Sequence, residues 1–163
     1  MRTLILSLFL TIISYQAYAV TVIELSPAET RFVSMRADKV NARSGPNIRY
    51  PIEWIYQKQN YPVEIIGEYD QWRKIRDYDG TVTWVRKNLL TNARYALVVE
   101  PGENNIYDKD SLNSEVIAKA ENGVVAKIKR CNQNFCLLSF ENQIEGWMSR
   151  STLFGIKKGE EIK

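Results

Sequence analysis

Cys131 and Cys136, separated by Asn132-Gln133-Asn134-Phe135, are the two thiols of this chain, and it has no histidine. That inventory narrows the chemistry. Serine and cysteine nucleophiles are ordinarily activated by an imidazole, and compact transition-metal cages draw on His and Cys together. A Ser-His-Asp or Cys-His centre, or a His/Cys metal site, cannot be built from these residues. The two Cys fit a disulfide across a short hairpin, whose facing positions approach to the separation such a bond needs. The other readings are free thiols or a redox pair; redox pairs usually show Cys-x-x-Cys spacing at the start of a helix, which is absent. Carboxylate-only hydrolysis stays formally open, but no pair of acids stands out. No cofactor is expected.

The remaining residues of interest recognise rather than react. Trp84 and Trp147 each precede an apolar residue, Val85 and Met148. A strand alternates its faces, so if Val85 and Met148 point inward the two Trp point outward. Trp72 lies an odd number of positions from Ile75 and raises the same question. Two readings follow: the rings are offered to a ligand as contact area at little entropic cost, or they plug the ends of a small fold that needs every large hydrophobe. Arg43 also has two. It could grip a ligand carboxylate through two parallel bonds, or tie the following Ser44-Gly45-Pro46 loop to its base through backbone carbonyls.

The elements that must carry these residues come in duplicate. Residues 40–90 moved forward by 63 positions fall on a second copy without a gap: Trp84 on Trp147, Trp72 on Phe135, Ile65 on Ile128, Leu90 on Leu153. The period exceeds that of solenoid repeats and matches the smallest domains that fold alone. Within each copy, short β-rich runs alternate with turn residues about every ten positions. In the first, Val40–Arg43, Trp54–Tyr56, Tyr61–Glu68, Trp72–Asp77 and Thr81–Val85 read as strands. Asp79-Gly80 reads as a tight turn with positive φ at both central positions, and 86–90 as one helical turn. In the second, 115–120, 124–130, 135–140 and 144–148 repeat the order. So small a sheet must close into a barrel to bury its apolar faces.

The first nineteen residues stand apart. Arg2, the apolar run from Leu4 to Ile13 and Ala17-Tyr18-Ala19 read as a signal peptide with cleavage after Ala19, in preference to an uncleaved membrane anchor. The run is shorter than a membrane span, so no span is expected after cleavage. The chain is +3 overall and +2 without Arg2, with no basic run, so nucleic acid is not an expected partner.

Val40-Asn41-Ala42-Arg43-Ser44-Gly45-Pro46-Asn47, then Trp72 after Asp70-Gln71, then Gly80, Thr83-Trp84-Val85 and Leu89-Leu90, resemble the bacterial SH3-like domain family. The second copy keeps Gly146-Trp147-Met148 and Leu153 but has Asn104-Asn105-Ile106-Tyr107-Asp108-Lys109 where the Asn-x-Arg-Ser-Gly-Pro element stood. The resemblance implies small peptide-binding-type barrels in exported or envelope proteins, often beside wall-cleaving enzymes. It also implies that aromatics near Trp72 and Trp84 line a ligand groove.

The expected organisation is all-β: signal peptide 1–19, extended lead-in 20–30, a first SH3-like barrel 31–94, a divergent second barrel 95–156 and a frayed tail 157–163, each barrel having about five strands. The expected role is non-catalytic recognition in the periplasm or outside the cell. Arg43, Tyr50, Trp72 and Trp84 are the expected contacts for a cell-wall polymer or an extended peptide of an envelope protein. The alternative is a periplasmic adaptor whose two barrels bind protein partners.

Overall fold

The computed structural model describes residues 21–141 and 143–163, and it is β throughout apart from two single turns of 3-10 helix, Lys87–Leu89 and Arg150–Thr152. The expected signal peptide lies outside the described residues.

The first sheet contains β1 (Ile23–Glu24), β2 (Arg31–Met35), β3 (Val40–Arg43), β4 (Ile52–Tyr56), β5 (Pro62–Tyr69), β6 (Trp72–Arg76), β7 (Val82–Arg86) and β8 (Leu90–Thr91). Its order is β4-β3-β7-β6-β5-β2-β8, with β1 added beside β5. The second contains β9 (Tyr95–Val98), β10 (Glu103–Tyr107), β11 (Val116–Glu121), β12 (Val125–Cys131), β13 (Phe135–Ser139), β14 (Glu145–Ser149) and β15 (Leu153–Phe154), in the order β11-β10-β14-β13-β12-β9-β15. The two paths are the same path. The strands β1, β2 and β8 of the first unit and β10 and β15 of the second raise the count above the expected five per unit.

Strand alternation sorts the apolar residues inward. Val33, Met35, Val40, Ala42, Val63, Ile75 and Val85 form one core, and Ala96, Val98, Ile106, Ala126, Leu138 and Met148 form a second, separate one. Burial of such side chains contributes on the order of 1.5–3 kcal/mol each. Each unit therefore has its own hydrophobic interior.

The register corrects the gapless repeat. Arg43 pairs opposite Trp84, but its counterpart opposite Trp147 is Tyr107, one residue beyond the spacing that relates the other strands. The extra residue is given back after the hairpin, where five residues separate Tyr56 from Pro62 but four separate Ala120 from Val125. Ala42 therefore corresponds to Ile106, and Tyr56 to Ala120.

Turn chemistry departs from expectation at Asp79-Gly80. Gly80 alone has positive φ, +83°. Asp77 accepts from the Gly80 and Thr81 amides, and the loop closes as a common turn followed by a left-handed glycine. The lead-in also differs, since Ile23–Glu24 pairs with Glu68 and Gly67 as a strand. The tail is not frayed. Ile162 bridges Cys131, Arg94 holds Glu160 in an ion pair at 2.5 Å, and Arg150 donates to the carbonyls of Lys157 and Glu160. The hydrogen bond from Arg94, only partly offset by burial, holds the Glu160 carboxyl below its usual range. Cys131 and Cys136 are disulfide-bonded, with Cα atoms 4.1 Å apart, and face each other across the β12–β13 hairpin.

The units touch through a small aromatic junction. Phe154 lies edge-on to Phe32 at 5.1 Å and to Tyr78 at 5.6 Å. The next residue, Gly155, has φ +111°, and a Cβ there would sit 2.6 Å from the Tyr95 carbonyl and 3.1 Å from Pro62. Only glycine satisfies both the backbone angle and the space.

Candidate functional site

The long hairpin 44–56 joins β3 to β4 and leaves the body of the first barrel, so its side chains lack a covering layer. Ile48, Tyr50, Ile52, Trp54 and Ile55 are all exposed, Trp54 at 50% and Tyr50 at 44%. β4 is the outer strand of its sheet, bonded to β3 on one side alone. An apolar surface carried on an open strand edge offers contact area and unpaired backbone groups to an extended chain.

The loop is shaped from inside. Arg43 Nη1 donates to the Tyr50 carbonyl at 2.6 Å, closing the hairpin's base. The Tyr50 ring lies against Gly45, where a Cβ would come within 2.6 Å of its ring carbons. The Asn47 side chain accepts from the Arg49 amide at 3.0 Å, and the Asn47 carbonyl from the Tyr50 amide at 3.1 Å. Ser44-Gly45-Pro46-Asn47 thus presents Tyr50 by geometry, and Arg43 acts on the loop, the second of its two readings.

The expected aromatic shelf does not form as an open surface. Trp72 pairs opposite Arg86 and Trp84 opposite Lys74, so the two rings share the outer face of β6 and β7, as strand parity predicts. Each is nevertheless only 7% exposed. Arg43 and Lys74 flank Trp84 on the neighbouring strands, and the Arg86 guanidinium stands 5.9 Å from the centre of the Trp72 ring. Long basic side chains lie along apolar surface with their charges outward. Of the four expected contacts, Tyr50 alone is open.

Trp54 is the residue that sequence reasoning missed. It shares a face with buried Tyr56, 6.5 Å ring to ring, and with Ala42 opposite it. Alternation alone therefore assigns it to the core. The available signal was the density of apolar residues in Ile52-Glu53-Trp54-Ile55 just after a long Gly-Pro loop, which marks a strand running past the end of its sheet.

The second barrel repeats the arrangement with non-basic residues in place of Arg43 and Lys74. Val116, Tyr107, Trp147 and Leu137 replace Ile52, Arg43, Trp84 and Lys74 across its strands. Leu112, Val116 and Ile117 are the exposed apolar residues of its hairpin. The hairpin is closed by the Asp108 amide on the Glu115 carbonyl and the Lys109 amide on Ser114 Oγ. Arg130 covers Trp147 at 4.9 Å. Among the described residues, no group of three His, Cys, Asp or Glu could hold a metal ion, and no helix is long and apolar enough to cross a membrane.

A long hairpin at one edge of each sheet, a late 3-10 turn and a duplicated topology agree with the match to the bacterial SH3 domain model at residues 36–92 and again at 100–155. The chain belongs to the bacterial SH3 domain family. No curated protein matches this tandem SH3 chain. Among solved structures it is similar to NlpC2 of Trichomonas vaginalis, at 18% identity over 79% of this chain and 49% of that one, with a TM-score of 0.36. NlpC1 of the same organism is 16% identical over 84% and 50%, TM-score 0.35. An NlpC/P60 family protein from Bacillus cereus ATCC 10987 is 10% identical over 81% and 58%, TM-score 0.34. The SH3 pair spans about half the length of these structures.

Proposed function

We propose that this tandem SH3 chain is an exported, non-catalytic module that recognises a cell-envelope component, either peptidoglycan or an extended peptide of an envelope protein. The observation that carries the reading is the exposed Tyr50 and Trp54 on the overhanging hairpin of the first barrel. Arg43 ties the base of that hairpin through the Tyr50 carbonyl, and Trp72 and Trp84 lie under basic side chains on the outer face of β6 and β7. The absence of histidine from the sequence and the disulfide in the second barrel fit a binding protein of an oxidising compartment. Family membership supplies the binding-domain class.

Co-sedimentation with purified cell-wall sacculi tests this reading. The intact protein is expected to pellet with sacculi, and Trp54→Ala to lose roughly tenfold or more in affinity, as central aromatic contacts do. Trp54 is half exposed, so the variant keeps its circular dichroism spectrum and melting temperature. Unchanged binding by Trp54→Ala and Tyr50→Ala would remove the hairpin from the account.

A second reading, a periplasmic adaptor with two protein partners, draws on Leu112, Val116 and Ile117, which give the second barrel a matching apolar hairpin. Absence of sacculus binding, together with saturable binding of one purified envelope protein, would favour it.

A further inference from the structure

The duplication supplies its own control, because each position of one barrel can be compared with its counterpart in the other. One end of the first barrel is closed by a polar plug. Tyr56 is buried and donates to Asp77 at 3.0 Å, and Tyr61 packs beside it with ring centres 5.6 Å apart. At the same end of the second barrel, Ala120 stands for Tyr56 by strand register. Val124 stands for Tyr61, each carbonyl accepting from the equivalent strand (Met35 and Val98), and Phe140 stands for Asp77, each amide closing the same turn. Two tyrosine rings are lost, one phenyl ring is gained, and the hydrogen-bonded pair becomes apolar. A cleft of about 850 Å³ opens there, floored by Ala120, Val124, Phe140 and Ile144 and walled on one side by 57–60 of the first barrel. That volume lies in the range of small-ligand sites.

The charges beside the plug have changed as well. In the first barrel, Phe32, Glu64 and Arg76 form a row across three strands, and Glu64 is neutralised by Arg76 at 2.7 Å. The equivalent row of the second barrel is Tyr95, Lys127 and Ser139, and all three line the cleft. The acid has become a lysine and its counter-ion a serine. Among the described residues Lys127 has no ion-pair partner. The other two lysines of the cleft are engaged, Lys119 with Glu103 at 2.7 Å and Lys58 with the Gly123 carbonyl at 2.5 Å. Glu121 and Glu141 also line the cleft, so the anionic place is the Lys127 row and not the cleft at large. An ammonium flanked by a phenol and an alcohol is a donor set for a carboxylate.

We infer that the cleft at the open end of the second barrel binds an apolar group ending in a carboxylate, with the apolar part against Val124, Phe140 and Ile144 and the carboxylate at Lys127, Tyr95 and Ser139. A free aliphatic or aromatic acid and the C-terminal residue of a peptide present the same chemistry. The site is separate from the hairpin of the first barrel, and neither depends on the other.

The test uses the full chain, since the first barrel forms one wall. Octanoate, hydrocinnamate and the tripeptide Gly-Gly-Phe are titrated against it beside their primary amides, with binding read from backbone amide shifts. The expected result is saturable binding of at least one acid, with shifts at Ala120, Val124, Lys127 and Ser139, and roughly tenfold weaker binding of its amide. Binding of the tripeptide alone identifies the source as a chain terminus; binding of the simple acids identifies free acids. Lys127→Gln, a change at an exposed residue, should abolish the preference for acid over amide. Ala120→Tyr, which restores the plug residue of the first barrel, should abolish binding altogether; if that variant fails to fold, Lys127→Gln decides. Equal affinity for acid and amide, shifts confined to the 44–56 hairpin, or no saturable binding of any probe would overturn the inference.

Discussion

Tyr56 and Tyr61 show how a pair of side chains gives one barrel a property that its copy lacks. Burial, with the nearby Asp77 carboxylate, makes the phenolate form unfavourable: Tyr61 is pushed up to about 12 and Tyr56 further still. An unfolded tyrosine titrates near 10. A folded value above the unfolded one means that these groups contribute their full stability below about pH 10 and lose it as the pH climbs through about 12. The first barrel is therefore expected to weaken in strong alkali, whereas Ala120 and Val124 give the second no such dependence. Urea midpoints measured at pH 9 and pH 11 should fall for the wild type and fall much less for the double variant Tyr56→Phe/Tyr61→Phe. Tyr56→Phe alone should cost about 1 kcal/mol or somewhat more at neutral pH, the worth of its bond to Asp77 plus the unpaired acid. At this scale the sequence was least legible. It grouped Arg43, Tyr50, Trp72 and Trp84 as expected ligand contacts. The placement of Trp72 and Trp84 on the outer face followed from parity, but their covering by long basic side chains depends on contacts between strands that spacing alone does not encode.

At the scale of elements, the two barrels solve one packing problem in opposite ways. Ala42 and Thr83 of the first correspond to Ile106 and Gly146 of the second. A Cβ at Gly146 would lie 2.4 Å from Ile106 Cγ2, so the larger residue on β10 requires the absent side chain on β14. Gly146→Thr should destabilise by about 1–3 kcal/mol through overpacking, and adding Ile106→Ala should recover a large part of that loss. A double-mutant cycle by urea denaturation measures the coupling, and additive costs would refute the exchange. The strands themselves were largely readable, because alternation and turn residues bound β5, β6, β7 and their copies closely. The hairpin 44–56 was the hard element. It overhangs its own barrel, so Trp54, which alternation assigns to the core, is exposed, and the ungapped repeat hides the single-residue offset that makes Tyr107, not Ile106, the partner of Trp147.

For the whole molecule, the decisive feature is the junction. The duplication announced two barrels, but nothing in the order of residues announces that Phe154 reaches between Phe32 and Tyr78, since those three positions are far apart along the chain and belong to different copies. Lys58 on Gly123 and Lys157 on Pro27 add links between the units. Unfolding should accordingly be one cooperative transition in the wild type. Phe154→Ala should lower the melting temperature and separate the trace into two steps, visible by calorimetry; a wild-type trace with two well-resolved steps would show that the junction does not couple the barrels.

The wedge formed by Phe154 also bears on how these halves behave when parted. A first barrel released from its neighbour, by a protease or by a stop codon after Asn92, would bare Phe32 and more of Tyr78 on the same side as Pro62. Such a fragment is expected to self-associate through that sticky facet, leaving in solution a species whose valency belongs to the cut and not to the native protein.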